Sequence, residues 1–224
     1  MTETLASTPA VAGRVHRGLA PYAPRLTRWQ VLAVGIAGSW LVVWWRAADV
    51  TGPDAAAWLI RAVAALSAVT VAFAFDDPSV DMTRALACAR GALMRIRFGI
   101  AGVAVLMAFA PAVVVKREYL NAGSTVLGLA VEVCTLVVLV IATSLVLQRQ
   151  FGVSEPAQFM VLVVLGLMMA AQTLGQRWPL LVPPGPEWAD AHWRWAGVLV
   201  VGLLVMAWQL RDPSSRPLRR SFAR

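Results

Sequence analysis

Two ionisable residues interrupt long apolar runs, where charged side chains are rare. Arg61 lies in the run 57–75, and Glu132 lies in the run 124–147. A charge in hydrocarbon is costly, so it usually pairs with an opposite charge, reaches water, or contacts a transported ion or substrate. Each lies nearer the start of its run, so an Arg61–Glu132 pair is possible. Two roles stay open for the pair, a tether between helices and a substrate or ion contact, and Arg61 alone could extend outward to the interface.

A second candidate is the segment 75–97, FDDPSVDMTRALACARGALMRIR. Asp77 followed by Pro78 predicts a helix N-cap with proline at the first helical position. The apolar face of the predicted helix carries Met82, Leu86, Ala89, Leu93 and Ile96, with Arg84 and Arg95 opposite and Arg90 and Arg97 on a flank. This pattern predicts a short amphipathic helix. Such a helix either lies on anionic lipid or docks on a cytoplasmic partner.

A third candidate is the segment 176–194, which holds four prolines together with Trp178, Trp188 and Trp193. It is expected to be an outer loop. Its role is either that of a proline-stiffened connector or that of a re-entrant or lid element at an outer exit, because exposed tryptophans favour the membrane interface.

Small residues four positions apart allow helices to approach closely. Gly35 and Ser39 have this spacing in the first apolar run, and Gly166 and Ala170 have it in the fifth. They serve either the internal packing of one chain or, as the more specific hypothesis, the contact between two copies.

The sequence predicts no enzymatic chemistry. Lys116, the sole lysine, is not preceded by a glycine-rich loop of the kind that binds nucleotide phosphates. No G-x-S-x-G motif is present. His16 and His192 are expected in a leader and a loop, too isolated for a metal site. We therefore expect no catalytic residue, cofactor or metal ligand in this chain.

The elements that position these residues follow from composition. Of the 224 residues, 59% are hydrophobic and only 14% are charged, a balance that suits a lipid environment. Six apolar runs are each close to the length of a membrane-spanning helix, at 29–45, 57–75, 98–115, 124–147, 159–175 and 195–210. The predicted fold is all-α and polytopic, with a leader at 1–28, a six-span transmembrane domain at 29–210 and a basic tail at 211–224.

The basic residues predict the orientation. With both termini in the cytoplasm, fourteen arginines lie on the inner side and five basic residues on the outer side, with Arg61 inside a span. This asymmetry is typical of the positive-inside rule. The net charge of +8 is therefore attributed to contact with anionic lipid rather than with nucleic acid.

The layout resembles the membrane subunit of an ABC exporter of the ABC-2 type, in its six-span bacterial form. The residues that carry the resemblance are FDDPSVDMTRALACAR and the arginines after them, directly following the second run. The resemblance implies a coupling helix within 78–97 that docks on an ATPase, an amphipathic connecting helix in the leader, and short outer re-entrant elements within 176–194. It also implies a working unit of two permeases and two ATPases. The prolines of the leader and the short sixth run depart from the pattern.

The functional hypothesis is a permease subunit in the bacterial cytoplasmic membrane that exports a substrate by alternating access. The many tryptophans and aliphatic residues would suit contact with a lipophilic substrate and contact with lipid equally. Separate ATPase subunits would bind ATP and magnesium and drive the cycle. Two alternatives stay open: a membrane anchor or assembly subunit without transport activity, and a substrate-binding subunit of an energy-coupled importer.

Overall fold

The structure, a computed structural model, describes residues 29–76, 87–120, 123–173 and 181–210. These residues form six α-helices: α1 (Trp29–Arg46), α2 (Pro53–Ala74), α3 (Ala87–Val115), α4 (Gly123–Gln150), α5 (Ala157–Thr173) and α6 (Trp188–Leu210). A 3₁₀ turn, Arg117–Tyr119, follows α3, and no strand occurs in the described part of the chain. The all-α prediction is confirmed, and each of the six apolar runs coincides with one helix.

Four of the described helical segments are long and apolar enough to cross a membrane: Pro53–Ala74, Ile96–Tyr119, Thr125–Gln150 and Trp188–Leu210. They indicate a membrane-embedded protein. Six spans were predicted, and α1 and α5 are not among these four. Helix α5 has 17 residues, about 26 Å at 1.5 Å per residue, which is less than the ~30 Å of hydrocarbon. Helix α1 has 18 residues, but four tryptophans, a glutamine and an arginine lower its hydropathy.

Helix α2 is the centre of the bundle. It packs against α1, α3, α4 and α5, and 67% of its apolar window is buried. Helix α6 packs mainly on α4 and exposes most of its surface, since only 17% of its window is buried. Residues on α2 and α4 therefore meet in the interior, whereas α6 covers that interior from one side.

Polar side chains within the helices bond to their own backbone. Ser67 donates to the carbonyl of Val63 at 2.7 Å, and Thr70 donates to that of Leu66 at 2.7 Å. Since lipid offers no hydrogen-bond partners, these bonds four residues back satisfy hydroxyls that would otherwise be costly to bury.

Two predicted boundaries are corrected. Helix α3 begins at Ala87 and runs without a break to Val115, so residues 87–97 do not form a helix separate from the third apolar run. Helix α6 begins at Trp188, seven residues before the predicted sixth span. Pro186 precedes this start, and Asp190 lies in the first turn, where a carboxylate favours a helix N-terminus. Residues 188–194 of the predicted outer loop are thus helical.

At each end of the bundle a buried charged residue bonds to the backbone of a distant segment. At the Lys116 face, where α1 ends and α2 begins, Lys116 is 3% exposed and its Nζ donates to the carbonyls of Ala47 and Val50. At the Asp76 face, where α2 ends, the buried Asp76 Oδ1 accepts a hydrogen bond from the N–H of Ala157, the first residue of α5. Each residue links segments far apart in sequence.

Candidate functional site: a buried charged cluster between α2, α4 and α6

Arg61 and Glu132 form the centre of the site. Arg61 lies eight residues into α2, and Glu132 lies nine residues into α4, so both are about 12–14 Å from the start of their helices. Nε of Arg61 donates to Oε2 of Glu132 at 2.8 Å, and Nη2 donates to Oε1 at 2.7 Å. Each side chain is 2% exposed. The structure thus brings together the two charges that the sequence placed at similar depth, in a bidentate geometry.

The chain before α6 supplies a further acceptor for Arg61. Nη2 of Arg61 also donates to the carbonyl oxygen of Val182 at 2.8 Å. The guanidinium carbon lies 5.3 Å from the centroid of the Trp58 ring and 5.6 Å from that of the Trp188 ring. Both distances are within the range of a cation–π contact. Groups from α2, α4, α6 and the segment before α6 therefore surround one buried cation.

His192 is the third ionisable member of the cluster. Its Nε2 lies 3.0 Å from Oε1 of Glu132, and its Nδ1 lies 2.6 Å from the carbonyl oxygen of Trp188. Because a carbonyl oxygen can only accept, the second contact assigns a proton to Nδ1. Nε2 meets the carboxylate at ion-pair distance without the alignment of a hydrogen bond.

A glycine makes the approach of α6 possible. A Cβ atom at Gly128 would stand 2.7 Å from Nε2 of His192 and 2.7 Å from Nε1 of Trp188. Gly128 lies one helical turn before Glu132, on the same side of α4. Only glycine leaves room there for both rings, whose centroids are 4.1 Å apart.

The cluster has more buried donors than acceptors. Nη1 of Arg61 and Nε1 of Trp188 have no hydrogen-bond partner among the described residues. Arg61 is 2% exposed and Trp188 is 8% exposed, so bulk water does not supply the missing acceptor. A buried donor without a partner costs about 1–3 kcal/mol. An oxygen acceptor, from water or from a polar ligand, is what this arrangement suits.

The predicted docking segment falls mostly outside the described residues. Asp77, Pro78, Met82, Arg84 and Leu86 lie in the stretch 77–86, which the structure does not describe. Arg90 and Leu93 belong to α3 by their backbone, but their side chains are not described either. The docking role of the segment stays a prediction.

The three tryptophans of the predicted outer loop differ in their location and exposure. Trp178 lies outside the described residues. Trp188 and Trp193 belong to α6, which corrects their assignment to an outer loop. Trp188 is buried against Arg61 and His192, whereas Trp193 is 78% exposed. Trp195, also on α6, is 2% exposed because it packs in a core shared with α2, α4 and α5.

The proposed contact between copies is corrected for two of its four residues. Gly35 faces α2, where a Cβ atom would overlap the side chain of Thr70. Ser39 is fully buried and donates to the carbonyl of Gly35 at 2.8 Å. Both serve packing within one chain, because α1 lies directly on α2. On α5, Gly166 is exposed with no atom within 4 Å of the position that a Cβ would occupy, and Ala170 is half-buried.

Sequence reasoning did not single out Gly128 and Asp76, and it named Trp188 and His192 without placing them beside Arg61 and Glu132. His192 was assigned to the predicted outer loop, the proline-rich segment 176–194. The spacing of Trp188 and His192, four residues apart after the last proline, was the available signal for one helix face. In the described part of the chain, no group of three or more His, Cys, Asp or Glu side chains could hold a metal ion.

No protein-family model matches the chain, and no curated protein or solved structure shows significant similarity to it. The functional argument therefore rests on the residues and on their geometry.

Proposed function

We propose that this chain is the permease subunit of an ATP-driven exporter of the ABC-2 type, in a bacterial cytoplasmic membrane with both termini in the cytoplasm. Two copies, or one copy and a related permease, would assemble with two ATPase subunits. Those subunits would bind ATP and magnesium, and this chain would contribute the transport path and no catalytic residue.

The observation that supports the proposal most is the connection between the charged segment 77–86 and the bundle. Ala87, the first described residue after this segment, belongs to α3, which continues unbroken through the third apolar run. A continuous helix acts as a lever, so a push on the segment would move the whole of α3.

Phe75 and Asp76, which immediately precede the segment 77–86, each contact another helix of the bundle. The rings of Phe75 and Phe98 have centroids 5.3 Å apart, which couples the end of α2 to α3. Asp76 bonds to the N-terminus of α5. A force on residues 77–86 would therefore reach α2, α3 and α5 together, as alternating access requires.

The buried cluster would hold α2, α4 and α6 together during transport. Arg61 and Glu132 join α2 to α4, and His192 and Trp188 join α6 to the same pair. A charge pair that is bidentate and buried holds its helices as one unit, because separating it would leave two uncompensated charges. A force that reaches α2 would therefore be passed on to α4 and α6.

Co-purification of an ATPase in mild detergent tests the proposal. Leu86→Glu places a charge on the apolar face of the predicted docking helix and should abolish co-purification and ATP-dependent transport. Arg84→Glu should weaken docking with a salt-dependent loss. Leu218→Glu and Arg219→Glu in the basic tail are the matched controls and should retain the ATPase. Gel filtration and membrane yield check that all four variants are folded and inserted.

The proposal fails if wild-type protein brings down no ATPase, or if Leu86→Glu and Arg84→Glu retain it as the controls do. A membrane anchor or assembly subunit is then the better candidate, because the Arg61–Glu132 pair suits a static bundle equally well. Uptake rather than efflux in vesicles containing the ATPase complex would instead favour the importer subunit.

A further inference from the structure

Helix α3 contains a proline within its apolar segment. Pro111 lies inside α3, and in a regular α-helix the carbonyl of Met107 would accept a hydrogen bond from the N–H of residue 111. Proline has no N–H, and its ring also crowds the carbonyl four residues earlier. Met107 is the twelfth of the 24 residues in the segment Ile96–Tyr119, so its carbonyl lies near the middle of the hydrocarbon, where water does not supply a donor.

A tryptophan of the neighbouring helix supplies that donor. Nε1 of Trp40 on α1 donates to the carbonyl oxygen of Met107 at 2.8 Å. Trp40 lies six residues, about 9 Å, inside the end of α1, away from the helix end, where interfacial tryptophans are common. Trp40 is 48% exposed, so its ring contacts lipid while its N–H reaches the backbone of α3. A phenylalanine or a leucine would contact lipid equally well at this position, and only the indole adds the donor.

The two halves of α3, before and after this point, are held by different parts of the chain. The first half contacts the end of α2, since the rings of Phe98 and Phe75 have centroids 5.3 Å apart. At the other end, Nζ of Lys116 donates to the carbonyl oxygens of Ala47 and Val50, between α1 and α2. A change in the angle between the two halves would therefore occur at the proline, where the helix lacks one backbone hydrogen bond.

We infer that residues 107–111 form a hinge in α3 and that the indole of Trp40 holds this hinge in one conformation. With the hydrogen bond made, α1 completes the backbone of α3 and the two halves keep a fixed angle. Without it, the Met107 carbonyl would be left unsatisfied in lipid, and the N–H of Ala110 would reach it through a 3₁₀ bond that tightens the helix and changes its bend. The hinge belongs to the chain alone, so neither it nor its test depends on an ATPase partner.

Distances between two spin labels on α3, measured by pulsed dipolar EPR on the purified full-length protein, test the inference. The labels are attached at Gly99→Cys and Val114→Cys, two exposed positions fifteen residues apart on opposite sides of the hinge, in a chain without its own cysteines. Labels at Trp193→Cys and Trp208→Cys are the matched control, because these residues are also exposed and fifteen residues apart and α6 contains no proline.

Three substitutions isolate the hydrogen bond. Trp40→Phe removes the donor and keeps an aromatic ring, and Trp44→Phe, one turn further along α1 at a residue that is 84% exposed, is its control. Pro111→Ala restores the N–H of residue 111, so the Met107 carbonyl regains a donor within α3 and no longer needs Trp40. Circular dichroism and gel filtration check that each variant is folded.

Trp40→Phe should broaden or shift the distance distribution across the hinge. The population outside the wild-type peak should rise roughly two- to tenfold, the factor that corresponds to the loss of one hydrogen bond. Trp44→Phe should leave the distribution unchanged, and Trp40→Phe combined with Pro111→Ala should match Pro111→Ala alone. The α6 pair should respond to none of these substitutions.

Equal distributions for Trp40→Phe and Trp44→Phe overturn the inference. A change in Trp40→Phe that persists in the Pro111→Ala chain also overturns it, because Trp40 would then act through packing and not through the Met107 carbonyl. A similar change in the α6 pair has the same consequence, since the loss of the indole would then loosen the whole bundle rather than one hinge.

Discussion

Arg61 donates two parallel hydrogen bonds to the carboxylate of Glu132, 2.8 Å and 2.7 Å long, across the interface of α2 and α4. Both side chains are 2% exposed, so neither charge has access to bulk water. Burial of either charge alone is strongly destabilising, and the opposite charge offsets this cost only while both side chains are present. The loss of one partner is therefore expected to be worse than the loss of both.

Substitution of either partner alone should destabilise the protein strongly. Arg61→Leu and Glu132→Leu should each lower the free energy of unfolding by about 3–5 kcal/mol, and the double variant should lose less than either. Denaturant unfolding in detergent, followed by tryptophan fluorescence, measures this. Arg46→Gln is the exposed control, whose ion pair with Asp49 should contribute less than about 1 kcal/mol. Additive losses in the double variant would contradict the pairing.

Gly128 should tolerate no side chain. Gly128→Ala would bring a methyl group to 2.7 Å from Nε2 of His192 and Nε1 of Trp188, so the start of α6 must move away from α4. We expect a loss of about 1–3 kcal/mol in unfolding free energy. Gly99→Ala, at an open position of α3, should be neutral or slightly stabilising. Equal stabilities of the two variants would show that α6 does not approach α4 this closely.

Substitution of Gly35 and substitution of Gly166 should affect stability and association differently, although both residues were expected at a contact between copies. Gly35→Leu should destabilise the single chain, because its side chain would overlap Thr70. Gly166→Leu should leave the unfolding free energy unchanged, since its position is open, and should weaken association if α5 forms the contact. Thermal unfolding and the mass of the detergent-solubilised protein separate the two effects. A dimer that survives Gly166→Leu removes Gly166 from the interface.

Asp76 should stabilise the start of α5. Asp76→Ala removes the acceptor that meets the N–H of Ala157 and should cost about 0.5–2 kcal/mol, the range for a lost helix cap. Hydrogen exchange should accelerate in the first turn of α5 and remain unchanged at the start of α2. Asp54→Ala, in the exposed first turn of α2, is the control and should have a smaller effect. Unchanged protection at Ala157 and its neighbours would contradict the cap.

The proposed orientation is tested by thiol labelling of intact cells in a background without Cys88 and Cys134. A cysteine introduced at Pro53 or Gly185 should react with an impermeant reagent, because both positions lie at the Lys116 face, which the positive-inside rule assigns to the outside. A cysteine at Ser214 should react only after permeabilisation. Labelling at Ser214 in intact cells would reverse the orientation.

The helices themselves were largely predictable. Six continuous apolar runs gave six helices, because in lipid the backbone must satisfy its own hydrogen bonds and a helix does this within one segment. The boundaries were predicted less well where polar residues extend a helix beyond its apolar run. Helix α3 includes residues 87–97 and α6 includes residues 188–194, neither of which is continuous hydrocarbon.

The pairing of Arg61 with Glu132 was predictable from two opposite charges in otherwise apolar runs. The rest of the cluster was not. His192 and Gly128 are ordinary residues in the sequence, and their roles depend on α6 lying against α4 at one particular rotation. Likewise, Gly35 and Gly166 share the same small-residue spacing, yet one is packed on α2 and the other is exposed.

The sequence by itself determined the helical class of this protein, its affinity for lipid and the presence of two charges that need each other, because these follow from local composition and from the cost of burying polar groups. Only the tertiary structure decided which helices meet. It set His192 beside Glu132, turned Trp188 and Trp195 inward, and brought the indole of Trp40 to the carbonyl of Met107. Helix rotation and crossing depend on contacts between segments far apart in the chain, and periodicity within one segment carries no information about them.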